Sequence, residues 1–461
     1  MTLYRGRIDA DTSGLMDAIN RSLPVDIRLL PYDVLTNRAW TRGLARLEIL
    51  SAAEEREILA ALDEIAGMTF STMPADEDVH TLVERLVTEK VGAAGGKIHT
   101  GRSRNDQVAC DLRLYLCDAL TSLLDAVCEL AAWLADAAES HVDTLLPGMT
   151  HMQPAQPISL GHFLMSLAFA LMRDARRLRD AFDRTNHCPL GAGALAGSGF
   201  AVDRERLAKE LGFEGVCENA MDAVSDRDFA QEAAAAAAVL TGHLSRYAEQ
   251  FVLWAGPAFG YLRFADAWST GSSMMPQKRN PDAMELVRGK AARGIGHAMT
   301  LLSLTKGVPL SYAKDLQEDK AALFDAMDTA LLCVAVFHQA SASATFDKDR
   351  MRAALSADLL ATDLADALTM TGVPFRLTHE RVARVVSELE AAGRELDSLS
   401  EKEIAAAFPE FGGKAVPLSY DEAVARRTVR GGTAPAAVRE QIARLREALS
   451  DISVPPRRRA D

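Results

Sequence analysis

The chain has 461 residues, enough for about three domains of ordinary size or one large helical bundle with appendages. Its 51 basic residues against 64 acidic ones leave a net charge of −13, which argues against nucleic acid or an anionic membrane as a partner. The first residues lack a secretory apolar segment, and no uncharged apolar stretch is expected to reach bilayer-spanning length.

In chain order, the first organised feature is a Gly-rich segment, Gly92-Ala93-Ala94-Gly95-Gly96, which leads into Lys97-Ile98-His99-Thr100-Gly101-Arg102-Ser103-Arg104-Asn105-Asp106. No Gly or Pro then occurs between Gly101 and Pro147. Leu112, Leu116, Ala119, Leu123, Val127, Leu130 and Leu134 recur at steps of four and three, the apolar face of one long helix. Run continuously, about 40 residues would extend some 60 Å at about 1.5 Å per residue. A loop follows, Gly148-Met149-Thr150-His151-Met152-Gln153-Pro154, set between helical stretches. The segment from Gly191 to Gly199 superficially offers a dinucleotide-binding glycine pattern, but charged, helix-like residues precede it where a strand is required. Ala233 to Ala238 marks a helix suited to close packing. A last long stretch, from Pro309 to Gly372, contains Leu331-Leu332-Cys333-Val334-Ala335-Val336-Phe337 and should be buried among neighbouring helices. No β-alternation of useful length is visible, and Pro455-Pro456-Arg457-Arg458-Arg459 reads as a disordered tail. Six cysteines (110, 117, 128, 188, 217 and 333) show no metal-type or disulfide spacing, which fits reduced thiols in a cytoplasmic protein.

Chemistry concentrates in four places. Gly271-Ser272-Ser273-Met274-Met275-Pro276-Gln277-Lys278-Arg279-Asn280-Pro281 is a loop opened by Gly and punctuated by two prolines. It presents Ser272, Ser273, Lys278 and Asn280 to something anionic: a proton-abstracting group beside donors for developing negative charge, as elimination next to a carboxylate requires. Arg102-Ser103-Arg104-Asn105, at a helix start, forms a carboxylate cradle, although capping alone would explain Ser103 or Asn105. His151 has a pKa suited to proton transfer and stands beside Thr150, yet a lone His is as readily structural. Tyr312, Gln317 and Lys320, in Ser311-Tyr312-Ala313-Lys314-Asp315-Leu316-Gln317-Glu318-Asp319-Lys320, suit a polar, amino-acid-like ligand; the same residues also read as a solvated helix start.

Taken together, these segments resemble the fumarase/aspartase superfamily, and within it the argininosuccinate lyase family. The loop at 271–281 matches the pattern G-S-S-x-M-P-x-K-x-N-P at each fixed position. Further likeness lies in His99 to Gln107, Pro189 to Gly197, Met221 to Asp228, Lys314 to Lys320 and Gly431-Gly432-Thr433-Ala434-Pro435. The resemblance implies an all-α, three-domain fold: an N-terminal helical domain (1–104), a central long-helix bundle forming a tetramer core (105–353) and a C-terminal helical domain (354–461). It implies a homotetramer with active sites shared between three subunits, and reversible cleavage of argininosuccinate to arginine and fumarate, with neither metal nor organic cofactor. Ser272 would remove the Cβ proton, while Lys278 and Asn280 steady the aci-carboxylate that follows. A serine hydroxyl is a poor base at neutral pH, so an alkoxide-stabilising environment is required. Thr150 and His151 would lie at the leaving group, with Glu285 orienting His151. Ser22, Ser103, Arg104 and Asn105 would bind the succinyl carboxylates. Tyr312, Gln317 and Lys320 would take the arginine-derived end, with Asp78 near the guanidinium.

Two departures from the family pattern leave room for a different amine. Tyr4-Arg5-Gly6-Arg7-Ile8 replaces Trp-Gly-Gly-Arg-Phe, and Ala313 stands where Asn is usual. The rival readings are a related lyase releasing fumarate from another N-substituted aspartate, and a non-catalytic relative kept as a structural protein, as in lens crystallins. The full set Ser272, Lys278, Asn280, His151 and Glu285 argues against the second.

Overall fold

The computed structural model describes residues 13–412, 416 and 419–452. The family departures at Tyr4–Ile8 and the tail at Pro455–Arg459 lie outside them. Two short helices, α1 (Gly14–Asn20) and α2 (Leu23–Asp26), lead into α3 (Leu30–Arg46), α4 (Ala52–Ala66) and α5 (Val79–Val91). Side chains set where two of these begin: Ser51 forms a capping box with Glu54, and Asp78 accepts from the Thr81 N–H.

The long helix α6 (Arg104–Glu139) has 36 residues and runs about 54 Å. Ser103 and Asp106 form its capping box. Leu112, Leu116, Leu123, Val127, Leu130 and Leu134 are buried and Ala119 is half-buried, as the periodicity requires. Beyond Glu139 the structure departs from the sequence reading. The chain does not hold helix to Pro147 and then loop; it forms an antiparallel ribbon, β1 (Leu145–Thr150) with β2 (Gln153–Ser159). Pro147, Pro154 and Pro157 hid it, because proline suppresses a strand signal yet is tolerated on edge strands, and both strands of a ribbon are edges.

Helix α7 (Leu160–Thr185) follows. A two-residue strand β3 (His187–Cys188) pairs in parallel, across α8 (Arg204–Leu211), with β4 (Gly215–Val216). Then come α9 (Ala220–Ser225), α10 (Asp228–Ala255), β5 (Leu262–Arg263), α11 (Asp282–Thr305), α12 (Asp319–Ala342) and β6 (Thr345–Phe346), which pairs with β5. Helices α6, α7, α10, α11 and α12 pack on one another as the central bundle. Small residues bring α10 and α11 together: Ala233, Ala234 and Ala237 are buried, and a Cβ on Gly294 would stand 3.0 Å from Thr241 Oγ1.

Helix α12 corrects two expectations. Cys333, Val334 and Phe337 are buried, but Leu331 and Leu332 stay 37% and 49% exposed, so one apolar face points out of the single chain. The segment Lys314–Ala342 is also long and apolar enough, by length and composition, to cross a membrane. The run from Thr329 to Phe346 has no Asp, Glu, Lys or Arg, and more than half of the apolar window is buried inside the chain, as in a core helix.

The remainder comprises α13 (Lys348–Ala353), α14 (Ala361–Thr369), α15 (Phe375–Ala391), α16 (Glu401–Ala407), α17 (Tyr420–Ala425) and α18 (Pro435–Ser450). Leu360, Leu364, Leu368, Val382 and Phe408 form a core of their own. Val438, Ile442 and Leu445 of α18 instead join the main core, which runs unbroken from α3 through the bundle. The fold is all-α, with three small two-stranded sheets among the described residues.

Candidate active site

The first group of side chains gathers where α5, α6 and the segment before α12 meet. Asp78, the N-cap of α5, uses Oδ1 for the Thr81 N–H and Oγ1, both at 2.7 Å, and Oδ2 for Arg104 Nη1 at 3.2 Å. Burial alone would raise the Asp78 carboxyl, but His80, Arg104 and Thr81 outweigh it and hold it below the usual range. Ser22 Oγ donates to Asp26, and Gln317 Nε2 donates to Asn20 O at 3.2 Å, so the segment before α12 meets the end of α1. Buried Lys320 donates to Asp319 Oδ1 at 3.1 Å and Gln317 O at 3.4 Å. Asp319 also accepts from buried Arg227 at the start of α10; burial raises its carboxyl, but Lys320 and Arg227 together pull it below the usual range. Half-buried Tyr312, its hydroxyl pushed up by burial, lies within the fields of Arg227, Asp319, Asp78 and Arg104. Six of the predicted substrate contacts, Ser22, Asp78, Arg104, Tyr312, Gln317 and Lys320, thus fall in one region. Their ammonium, guanidinium, amide and hydroxyl groups suit a ligand bearing carboxylates and an amino group.

Ser103 and Asn105 stand beside this region with other duties as well. Ser103 Oγ accepts the Asn105 N–H at 3.2 Å, the capping role weighed from sequence, and Asn105 Nδ2 donates to Ala194 O at 3.1 Å. Asp106, unremarked in the sequence, organises both: it accepts from the Ser103 N–H and, through Oδ2, from Gly191 and Gly193 N–H at 3.0 and 2.9 Å. Those glycine amides, the only feature of the 191–199 segment that suggested a phosphate, are therefore spoken for by a carboxylate. The Ser-x-x-Asp spacing was the available signal for Asp106.

The second group is the loop at 271–281. Backbone bonds between Thr270 and Asn280 close its base, and Thr270 N–H donates to Asp282 Oδ2 at 3.1 Å. Ser272 Oγ accepts two backbone N–H groups, from Met274 at 3.2 Å and Met275 at 3.1 Å. Two amides on one hydroxyl oxygen favour its alkoxide over its neutral form. Asn280 Nδ2 reaches Thr270 Oγ1 and Gly271 O at 3.4 Å each. Lys278 is exposed, and its ammonium has no ion pair among the described residues. Arg279 faces away from this chemistry, bonding Asp266 and Phe264 O. A cavity of about 720 Å³ reaches the loop at Arg279, Asn280 and Pro281, while Ser272 and Lys278 do not line it.

The third group sits at the tip of the β1–β2 ribbon. Thr150 ends β1, and His151 and Met152 form the two-residue turn, with φ of 54° and 61°. Both lie in the left-handed region, as a tight hairpin turn demands, at a conformational cost that Asn or Gly would avoid. Glu285 occupies the first turn of α11 and is exposed, as are Thr150 and His151. Among the described residues no hydrogen bond or ion pair joins His151 to Glu285, or links the loop or the ribbon tip to the Arg104–Lys320 region. One chain presents three separate, partly exposed sets of groups.

The long-helix bundle, with its 271–281 loop of Ser272, Lys278 and Asn280, belongs to a lyase of the fumarase/aspartase superfamily, as the comparisons with known proteins show. Residues 6–296 match the lyase family, and residues 358–425 match the argininosuccinate lyase C-terminal family. The chain is 46% identical to the argininosuccinate lyase of Roseiflexus castenholzii over 454 residues, which cover 97% of this chain and 100% of that one. It is equally identical to that of Desulforudis audaxviator over 458 residues, 98% and 99% of the two chains. It therefore belongs to the argininosuccinate lyase family. Among solved structures it resembles EDDS lyase in complex with formate, with a TM-score of 0.82 at 29% identity over 93% of this chain and 87% of that one. The class II fumarase of Schistosoma mansoni, at 16% identity and a TM-score of 0.71 over 87% and 93% of the two chains, shares the fold.

Proposed function

We infer that this protein is a carbon–nitrogen lyase that reversibly cleaves argininosuccinate to arginine and fumarate, as a step of arginine biosynthesis in the cytoplasm. The observation that carries the substrate is the 46% identity to argininosuccinate lyases along almost the whole chain. Ser272 Oγ, its alkoxide favoured by the Met274 and Met275 amides, takes the Cβ proton of the succinyl moiety. The electron pair moves into the neighbouring carboxylate, and Lys278 and Asn280 hold the resulting aci-carboxylate. Collapse of that intermediate expels the guanidino nitrogen on the opposite face, with Thr150 and His151 at the leaving group and Glu285 orienting His151. Ser22, Ser103, Arg104, Asn105 and Ser273 bind the succinyl carboxylates. Tyr312, Gln317 and Lys320 hold the amino-acid end, with Asp78 near the guanidinium.

The working enzyme is a homotetramer in which three subunits build each site. Two features support this: the three catalytic sets make no hydrogen bond with one another within one chain, and the bundle leaves an apolar face uncovered. Ile295, Met299 and Leu302, at steps of four and three on α11, are 54%, 57% and 48% exposed, and Leu331 and Leu332 add to them from α12. The division at 1–104, 105–353 and 354–461 is part of the same reading. The separate core of α14 to α17 supports it, with α18 tying the last unit to the bundle.

Release of fumarate from argininosuccinate, followed by ultraviolet absorbance at roughly 1 mM substrate, tests the assignment. No turnover under those conditions would overturn it. The likeness to EDDS lyase, together with Ala313 beside Tyr312, favours another N-substituted aspartate as the second reading; fumarate release from such a compound alone would select it.

A further inference from the structure

Behind the Asp78–Arg104 pair lies a buried polar cluster that the proposed chemistry does not use. Asp33, Thr36 and Asn37 come from α3, His80 from α5, and Gln107 and Asp111 from α6. His80 Nδ1 lies 2.7 Å from Asp33 Oδ1 and 3.4 Å from Asp111 Oδ2. Gln107 Nε2 donates to Asp33 Oδ1 at 2.5 Å, Asn37 Nδ2 to Asp33 Oδ2 at 2.9 Å, and Thr36 Oγ1 to Asp111 Oδ1 at 2.5 Å. Arg102 Nη2 closes the chain on Asn37 Oδ1 at 2.8 Å. One ligand atom from each of Asp33, His80 and Asp111 falls within 4.8 Å of the others, a spacing a cation could bridge. Both oxygens of Asp33 already accept hydrogen bonds, however. Burial and the Asp33 charge push the Asp111 carboxyl well above its usual range, so the cluster is knit by protons.

Its position ties this cluster to the site. His80 stands two residues past Asp78, in the first turn of α5. Arg104, Gln107 and Asp111 follow at steps of three and four along one face of α6. The first turn of α5 is thus tied to that face directly by Asp78 and Arg104, and through Asp33 by His80 and Gln107, with Asp111 Oδ2 standing 3.4 Å from His80 Nδ1. Asp33 links His80 to α3, and the Val79 N–H donates to Asp26 Oδ1 at 3.1 Å, beside Ser22.

We propose that His80 is a positioning residue: through Asp33 and Gln107 it sets the first turn of α5 against α6 and thereby fixes the Asp78–Arg104 pair for substrate. This rests on the reading that Asp78 and Arg104 touch the substrate. It acts on binding and not on proton removal, because Ser272, Lys278 and His151 have no hydrogen bond to the cluster.

Three tetrameric variants test it by steady-state kinetics with argininosuccinate and thermal melting. His80→Asn places its amide nitrogen near the Nδ1 position and should keep KM within about twofold of native. His80→Gln, whose amide stands where Nε2 was and loses Asp33, should raise KM at least tenfold with kcat within about threefold. Equal KM for the Asn and Gln variants, or a fall in kcat with KM native, would overturn the positioning role. Arg104→Ala separates the two readings: native KM there removes Arg104 from the substrate site. A raised KM there with native KM in His80→Gln removes only His80. Stoichiometric metal in the purified enzyme that is lost in His80→Gln would instead make the cluster a cation site.

Discussion

At the scale of single residues, Ser272 illustrates what a structure adds to a motif. The pattern around it named a base, and the objection was chemical: an isolated serine hydroxyl holds its proton far too tightly at neutral pH. The Met274 and Met275 N–H groups donate to its Oγ, and such amides favour the alkoxide over the hydroxyl. Ser272→Ala should lower kcat by at least about a thousandfold, in line with losing a principal catalytic group, with substrate binding by calorimetry and oligomeric state unchanged. Appreciable residual turnover would remove Ser272 as the base. Asp106 offers a second test. Burial, against the Gly193, Ser103 and Gly191 N–H bonds and Arg102, pushes its carboxyl up to about 6. A carboxyl whose folded pKa exceeds its unfolded value favours the folded state below the unfolded pKa, near 3.8, and loses that contribution as pH rises through about 6. Compared with Asp106→Asn, the native chain should lose up to about 3 kcal/mol of relative stability between pH 4 and pH 7. Parallel stability profiles for the two proteins would show that Asp106 titrates normally.

At the scale of elements, what was legible followed period and punctuation. The stripe from Leu112 to Leu134 announced α6 because each residue packs on the same side every turn, and Ser103, weighed as a cap, stands at its start. The β1–β2 ribbon was illegible for the converse reason. Its three prolines argue against strands, and its turn residues, His151 and Met152, are not the Asn or Gly that usually advertise a tight hairpin. The segment before α12 was read first as a solvated helix start. Lys320, in the first turn of α12, is instead buried against Asp319, which also takes Arg227 from 92 residues away. This pair joins α10 to α12 beside Tyr312 and Gln317. Asp319→Ala would leave Arg227, 2% exposed, without its carboxylate; it should cost about 3–5 kcal/mol and lower the melting temperature accordingly. A melting curve unchanged by the substitution would show that solvent reaches Arg227.

At the scale of the whole molecule, the proposed function asks three sets of groups that share no hydrogen bond within the described residues of one chain to meet across chains. Exposed Ile295, Met299, Leu302, Leu331 and Leu332 supply an apolar surface on which copies of the bundle can associate. A Ser272→Ala variant and a His151→Asn variant, each inactive, should therefore regain part of the native activity when dissociated together and reassembled. In mixed tetramers some sites draw both intact residues from different chains. Properly mixed oligomers without activity would place Ser272 and His151 of one site on the same chain.

The sequence by itself determined the helical character, the family, the candidate cap at Ser103 and the residue types at the proposed site. These depend on residue type and on spacing within a few turns, which local backbone chemistry reads directly. Only the tertiary structure decided that the Thr150–His151 segment is a hairpin tip, that Asp106 occupies the glycine amides, and that Asp33 gathers His80 and Gln107. Such contacts join residues tens of positions apart, and whether they form depends on how long helices cross and which side chains are buried at the crossing. Patterns within a single helix carry no record of that geometry.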